Sequence, residues 1–293
     1  MGLETLCLHI RCPASLVHDL LVMYSEDMES ESKSVGGVSV HVKGAGPSVV
    51  LLHANGGSHH DFDAVSDALT THAKVFAIDW PGHGASADTG TPGACAFADL
   101  LPSVLEDLNE APYTLIGNSV GGFAAIRTAV ARPDLVRNLV VVNPGGFTPR
   151  WPSTFITCWI LGTHTIAPVA MRLLPRLYLR RETAAVTAIR SAAVDGSHNA
   201  NKIRTFARIW RSFTDRRHDA RADAANVSCP VMLIWGTRDP ILPWFIDGRR
   251  ARRAFRDARV VTLPCGHQSF AEMPEEFITT VADFLGWNEQ EPS

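Results

Sequence analysis

Apolar positions along the chain follow two rhythms. Residues 38–42 alternate, while 49–52, 75–78, 113–116, 139–142, 231–235 and 259–263 are short runs rich in β-branched and other apolar residues. Such runs predict strands, and those that are apolar throughout predict a sheet covered on both faces. Between them the spacing turns helical: after Ser58, from about Cys95 to Leu108, after Ser119, and from about Pro274 to Leu285. Alternating strands and helices of this kind predict an α/β fold, a mostly parallel central sheet flanked by helices. From about Phe147 to Asn226 the strand rhythm stops, and 151–164, 169–179, 183–194 and 203–213 all read as helices. Strands then resume, so residues 147–226 are expected to form an inserted helical cap on a core of 35–146 and 227–293. Residues 1–34 read as a partly ordered N-terminal extension. Leu16, Leu20, Leu21 and Met23 permit a short amphipathic turn there, and 26–34 is acidic and Ser-rich, like a linker.

In a parallel sheet the ligand site lies beyond the carboxyl ends of the strands, and the unusual loops all fall there. The strand at 113–116 runs into Gly117-Asn118-Ser119-Val120-Gly121 and then into a helix-like segment. Strand, sharp turn and helix predict a nucleophile elbow. Gly117 and Gly121 allow the strand and helix to crowd a strained Ser119, whose hydroxyl is lifted out of the sheet. A serine hydroxyl needs a base to take its proton and a carboxylate to orient that base. Asp239 and His267 each follow the end of a later strand, which gives the chain order Ser, Asp, His.

With those three residues, the loops at 53–57 (His-Ala-Asn-Gly-Gly), 79–84 (Asp-Trp-Pro-Gly-His-Gly) and 235–240 (Trp-Gly-Thr-Arg-Asp-Pro), and Gly266-His267 followed by Glu272 and Pro274, the chain from about 36 to 286 resembles an α/β hydrolase with a helical cap. The resemblance implies Ser119 as nucleophile, His267 as general base and acid, and Asp239 as its orienting partner. It implies an oxyanion hole from the backbone N–H of Val120 and of Asn55, with Gly56 as the alternative second donor; Ala54 stands where the family usually has Gly. It makes His53 and His83 structural, and Asp79 a loop-tying residue. Asp247 is a weaker rival to Asp239, and Cys265 reads as a packed thiol.

The implied activity is hydrolysis of a small to medium carboxylic ester through an acyl-enzyme. C–C bond hydrolysis, lactone opening and cofactor-free perhydrolysis use the same triad and stay open, as does a slow, sensor-like role. Ser at the elbow, where dehalogenases and epoxide hydrolases of the superfamily have Asp, disfavours those two activities. Gln268 stands where the C–C hydrolases usually carry Trp. No metal or organic cofactor is expected, because the protein supplies nucleophile, base and electrophile. Phe147, Trp151, Phe155, Trp159 and Trp210 are candidates for an apolar substrate pocket.

Composition narrows the class. Of 293 residues, 46% are hydrophobic and 19% charged, which is globular, and a net charge of −3 argues neither for nucleic acid nor for a membrane surface, so no nucleic-acid partner and no stable membrane insertion are expected. The expected partner is a small-molecule substrate, with the chain monomeric or homodimeric. Cys7, Cys12, Cys95, Cys158, Cys229 and Cys265 show no paired framework and read as free thiols of a cytoplasmic protein. The charge is uneven: residues 147–227 hold 13 Lys and Arg against 5 Asp and Glu, +8, leaving −11 elsewhere. That excess either attracts an anionic substrate or sits on solvated helix faces. His59 and His60 read as solvated surface.

Overall fold

The computed structural model describes residues 31–90 and 92–289. The expectations for residues 1–30, the amphipathic turn included, lie outside that range, as do Cys7 and Cys12. Eight strands form one sheet: β1 (Glu31–Val35), β2 (Val38–Lys43), β3 (Ser48–Leu52), β4 (Lys74–Asp79), β5 (Tyr113–Asn118), β6 (Val136–Val142), β7 (Val231–Gly236) and β8 (Arg259–Leu263). Their order is β1-β2-β4-β3-β5-β6-β7-β8, antiparallel at β1/β2 and β2/β4 and parallel from β4 to β8.

The strand rhythm has a direct packing meaning. On β5, β6 and β7 successive side chains enter opposite cores: Leu115, Leu139, Val141, Leu233 and Trp235 on one face, Ile116, Val140, Val142, Met232 and Ile234 on the other. Helices α1 (Asp63–Thr70), α2 (Ala94–Leu108) and α3 (Val120–Ala131) join the early strands. Phe97 and Leu101 of α2 and Phe123 of α3 close the first core; Val65 and Leu69 of α1 close the second together with Phe277 of the last long helix, Pro274–Leu285.

Between β6 and β7 lie α4 (Pro152–Leu161), α5 (Ala167–Tyr178), α6 (Ala184–Gly196), α7 (Ala200–Ser212) and a short α8 (Arg221–Ala224). Thr183 caps α6 by accepting from Val186 N, and Asn199 caps α7 by accepting from Asn201 N and Lys202 N. Among the described residues, no helix is long and apolar enough to cross a membrane.

The beginning of the chain needs a correction. Residues 31–34, read as part of the extension, pair with β2 as an antiparallel edge strand through Glu31–Val35. Residues 31–34 are exposed and polar, and only Val35 packs against the core, so the segment carries no apolar alternation. An edge strand of charged residues needs none, because its backbone finds a partner on one side and water on the other.

Candidate active site

Every functional loop leaves the sheet at the carboxyl end of a parallel strand, and β5 supplies the central one. Ser119 sits at φ 54°, ψ −114° between β5 and α3, a conformation a non-glycine residue holds only when its surroundings enforce it. The Ser119 N–H donates to Val142 O (3.1 Å), and its carbonyl accepts from Phe123 N (3.0 Å) and Gly145 N (2.9 Å). The flanking glycines are steric necessities: a Cβ on Gly121 would lie 2.3 Å from Leu52 O, and one on Gly117 would lie 2.6 Å from Gly121 O.

Asp239 and His267 meet beside it. The His267 Nδ1–H donates to Asp239 Oδ2 at 2.6 Å, with both side chains buried. All of the carboxylate's acceptor capacity is organised. Oδ2 also accepts from Asn143 Nδ2 (2.8 Å), while Oδ1 accepts from Ile241 N (2.8 Å) and Leu242 N (3.2 Å). Asn143 is held in turn at φ 40°, its Oδ1 accepting from Gly236 N at 2.8 Å. With Nδ1 engaged, the free nitrogen of His267 is Nε2. Asp247, the rival carboxyl, accepts instead from Thr148 Oγ1, and burial raises its pKa to about 6.

The loop bearing His267 is fixed from three sides. Asn118 of the elbow donates from Nδ2 to His267 O (3.0 Å) and Val142 O (2.9 Å), and His267 N donates to Tyr178 O (2.9 Å). Glu272, 2% exposed, accepts from four backbone N–H groups: Gly266 (2.9 Å), Gln268 (3.3 Å), Arg180 (2.7 Å) and Arg181 (3.1 Å). One buried carboxylate thereby ties the histidine loop to the end of α5. Cys265 is fully buried, and burial pushes its thiol up to about 12, which makes it inert.

The loop after β3 faces the elbow from the other side. His53 donates from Nδ1 to Ala54 O (2.7 Å) and accepts from Trp80 N (3.1 Å). His83 accepts the Gly56 N–H on Nε2 at 3.1 Å. Burial lowers the two pKa values to about 4 and about 3, so both rings are neutral, as an accepting nitrogen requires. This corrects one site residue: Gly56 has committed its N–H to His83 and has none left for an oxyanion. The N–H groups of Asn55 and Val120 have no such partner among the described residues, and both residues line the same cavity as Ser119 and His267. The Ala54 methyl is accommodated at 5% exposure.

Asp79 ties its loop, accepting from His59 N (2.8 Å) and Ala85 N (2.9 Å). Burial works to raise its pKa, but the bonds from His59 and Ala85 outweigh it and hold the carboxyl well below the usual range. His59 is therefore not solvated surface: its ring is half-buried, bonds Asp79 Oδ1 at 3.0 Å and stacks on His41 at 3.5 Å. His41, His59 and Asp79 bring ligand-type atoms within 4.8 Å of one another, an arrangement their mutual hydrogen bonds already explain. His60 is exposed.

Ser119 and His267 open into a cavity of about 900 Å3 roofed by the inserted helices. Of the five aromatic candidates, Phe155 and Trp210 line it. Phe147 does not: it is buried in the core against Phe255. Trp151 and Trp159 face outward, 52% and 60% exposed. The cationic excess does not converge on the cavity either. Arg217 pairs with Asp99, Arg221 with Asp219 and Arg190 with Glu182, and Arg150 stacks on Phe155, leaving Lys202 and Arg150 at the wall.

Three wall residues carried no separate signal in the sequence. Asp61 is 5% exposed, and burial raises its carboxyl to about 7; its Oδ2 accepts from Gln268 Nε2 at 3.2 Å. Tyr178 packs edge-on to the His267 ring at 5.3 Å. His218, lowered to about 4 by burial, brings a buried Nε2 with no partner among the described residues. Only contacts between distant segments could have revealed them.

Comparison with known proteins gives a consistent picture. Residues 49–280 match the model of the alpha/beta hydrolase family. The chain is 30% identical over 263 residues to a pimeloyl-[acyl-carrier protein] methyl ester esterase of Nitrosomonas europaea, covering 82% of this chain and 97% of that protein. It is 26% identical over 255 residues to an sn-1-specific diacylglycerol lipase of Mus musculus, covering 82% and 81%. Among solved structures, the enol-lactonase of Burkholderia xenovorans LB400 superposes with a TM-score of 0.72 at 24% identity over 87% of this chain and 100% of that one.

Proposed function

The chain belongs to the alpha/beta hydrolase family and is a hydrolase; on that premise we propose that it is a serine esterase acting on carboxylic esters through an acyl-enzyme on Ser119, His267 and Asp239. The observation that carries this reading is the buried Asp239–His267 hydrogen bond of 2.6 Å, held at the same sheet edge as a strained Ser119. His267 Nε2 takes the Ser119 proton as Oγ attacks the ester carbonyl. The negative oxygen of the tetrahedral intermediate is received by the N–H groups of Val120 and Asn55, each such donor contributing about 3 kcal/mol in related chemistry. Val120 adds the first-turn dipole of α3. The imidazolium then protonates the leaving alkoxide, and a water repeats the cycle on the acyl-enzyme. Asp239 orients the imidazole, its carboxylate held in place by four donors.

The inserted helices act as a cap in this reading, excluding water and selecting the acyl group. The two relatives named above are an esterase and a lipase, and each acts on a carboxylic ester by its name. Gln268, which spends its amide on Asp61, stands against the C–C hydrolase alternative. The test is multiple-turnover hydrolysis of p-nitrophenyl butyrate by wild type and Ser119→Ala, matched by circular dichroism. Turnover lost in the variant is expected, and turnover that survives it overturns the mechanism.

A further inference from the structure

Helices α4 and α5 are apolar on two opposite sides. Their inner sides line the cavity: Phe155, Cys158 and Leu161 from α4, and Met171, Leu174 and Tyr178 from α5. Their outer sides are apolar as well. On α4, Ile156 is 58% and Trp159 60% exposed, with Ile160 beside them; on α5, Val169, Leu173 and Leu177 repeat every fourth residue at 41%, 48% and 51%. Of the nine exposed large apolar side chains among the described residues, eight fall between Trp151 and Leu177. Single exposed apolar residues are ordinary, but such a concentration on two consecutive helices marks a docking face.

The charge around this face states what it docks on. Residues 147–181 contain five arginines, 150, 172, 176, 180 and 181, and no Asp or Glu, within a chain whose net charge is −3. Arg172 and Arg176 lie on α5 beside Val169, Leu173 and Leu177, one helical turn apart. Exposed aliphatic stripes, outward tryptophans and arginines set beside them on α5 are features of helices that lie in a lipid interface. Trp151 and Trp159 are suited to the headgroup level, and the arginines to anionic headgroups.

We propose that the outer face of α4 and α5 docks on an anionic lipid surface. The ester-hydrolysing site would then draw lipid-borne, long-chain acyl esters from that surface into the apolar cavity directly behind the two helices. The substrate part of this inference rests on the esterase reading above; the docking part does not. The wall between membrane and cavity is one helix thick, so an acyl chain leaving the interface exchanges one apolar surface for another without crossing water.

The experiment is co-flotation of the full chain with vesicles of phosphatidylcholine, with and without phosphatidylglycerol, for wild type, Ile156→Glu/Leu173→Glu and Arg172→Glu/Arg176→Glu. Neither double variant alters a residue that lines the cavity. Wild type is expected to float with phosphatidylglycerol vesicles and to release as salt is raised. The apolar variant should bind at least about tenfold more weakly, and the arginine variant about fivefold more weakly per arginine lost. Both variants should keep wild-type hydrolysis of p-nitrophenyl butyrate while losing hydrolysis of dioleoylglycerol embedded in the vesicles. Absence of flotation with either vesicle overturns the proposal, as does undiminished flotation of the apolar variant. A gel-filtration shift from dimer to monomer in that variant, without vesicle binding, assigns the face to a second copy and overturns it too. So does capture by a purified acidic acyl carrier protein without vesicle binding. Butyrate hydrolysis that survives Ser119→Ala defeats the esterase reading alone, because flotation is read independently of it.

Discussion

Replacing Asp239 with Asn exchanges one oxygen for an NH2 group, and the surrounding donors decide where that group can go. Placed at Oδ1, it would face the N–H groups of Ile241 and Leu242, which belong to backbone and cannot turn away. Placed at Oδ2, it faces the His267 Nδ1–H and the Asn143 amide. The second arrangement costs less, because imidazole can move its proton from Nδ1 to Nε2 and accept. Asn143 cannot adapt equally well: reversing its amide would surrender the bond from Gly236 N to its Oδ1. One buried hydrogen bond is therefore lost in either orientation, about 1–3 kcal/mol, which should lower Tm by a few degrees. The catalytic consequence is larger. A histidine protonated at Nε2 has no lone pair to offer Ser119, and the wrong tautomer reduces kcat about 10⁴-fold in serine triads, roughly 5.4 kcal/mol of barrier at 1.36 per tenfold. The assay is steady-state hydrolysis of p-nitrophenyl butyrate, with thermal unfolding followed on the same preparation. A folded Asp239→Asn protein with kcat within tenfold of wild type would refute both the tautomer argument and the role of Asp239.

Glu272→Gln leaves at least one of the four backbone donors facing an NH2 group; a loss of about 1–3 kcal/mol of stability is expected by thermal unfolding, with a fall in kcat as the His267 loop loosens. An unchanged Tm would show that the four N–H groups do not depend on the carboxylate. Gly121→Ala places a methyl 2.3 Å from Leu52 O, so the elbow cannot close as it stands; loss of soluble protein or a Tm drop of more than about 10 °C is expected, and a variant of wild-type stability would disprove the close approach. Asp61 gives a pH prediction. Its folded-state carboxyl is raised to about 7 from 3.8, so the folded chain keeps a proton the unfolded chain has released. The stability this group contributes is complete below 3.8 and is lost as pH rises through about 7. Asp61→Asn removes that dependence, and Gln268, whose buried Oε1 has no partner among the described residues, can turn its amide to accept from the new NH2. The Tm advantage of the variant should widen from pH 4 to pH 7, toward about 4 kcal/mol at most, and an advantage independent of pH would contradict the raised pKa.

Legibility followed the range of the interaction. Each core strand is a run whose alternate residues enter the two cores, so β3 to β7 could be read from sequence to within one to three residues, the largest miss being β6, which begins at Val136 rather than Leu139. The polar edge strand Glu31–Val35 could not, since Val35 at its end is its one residue packed against the core and the rest is set by pairing with β2. Ser119, Asp239 and His267 were legible because each is marked by its own strand end and turn. The aromatic lining was not. Trp159 and Phe155 lie one helical turn apart on α4, and nothing local says that one faces the cavity and the other solvent. Gly56 illustrates the same point for the backbone: its N–H is spent on His83, 27 residues further along the chain.

By itself, the sequence determined the candidate residues and their order: a serine between a strand and a helix, then a carboxylate, then a histidine, on alternating strands and helices. These are consequences of local periodicity and of glycine at 117 and 121, both written within a few residues, although the carbonyl that Gly121 must clear belongs to Leu52 on β3. The tertiary structure alone decided which backbone N–H groups lining the cavity lack a partner among the described residues, which face of each inserted helix meets the cavity, and that Asp61 and Glu272 are buried beside the histidine loop. Those outcomes depend on what packs against a residue from far along the chain, and desolvation and hydrogen-bond partners are set only when those segments meet.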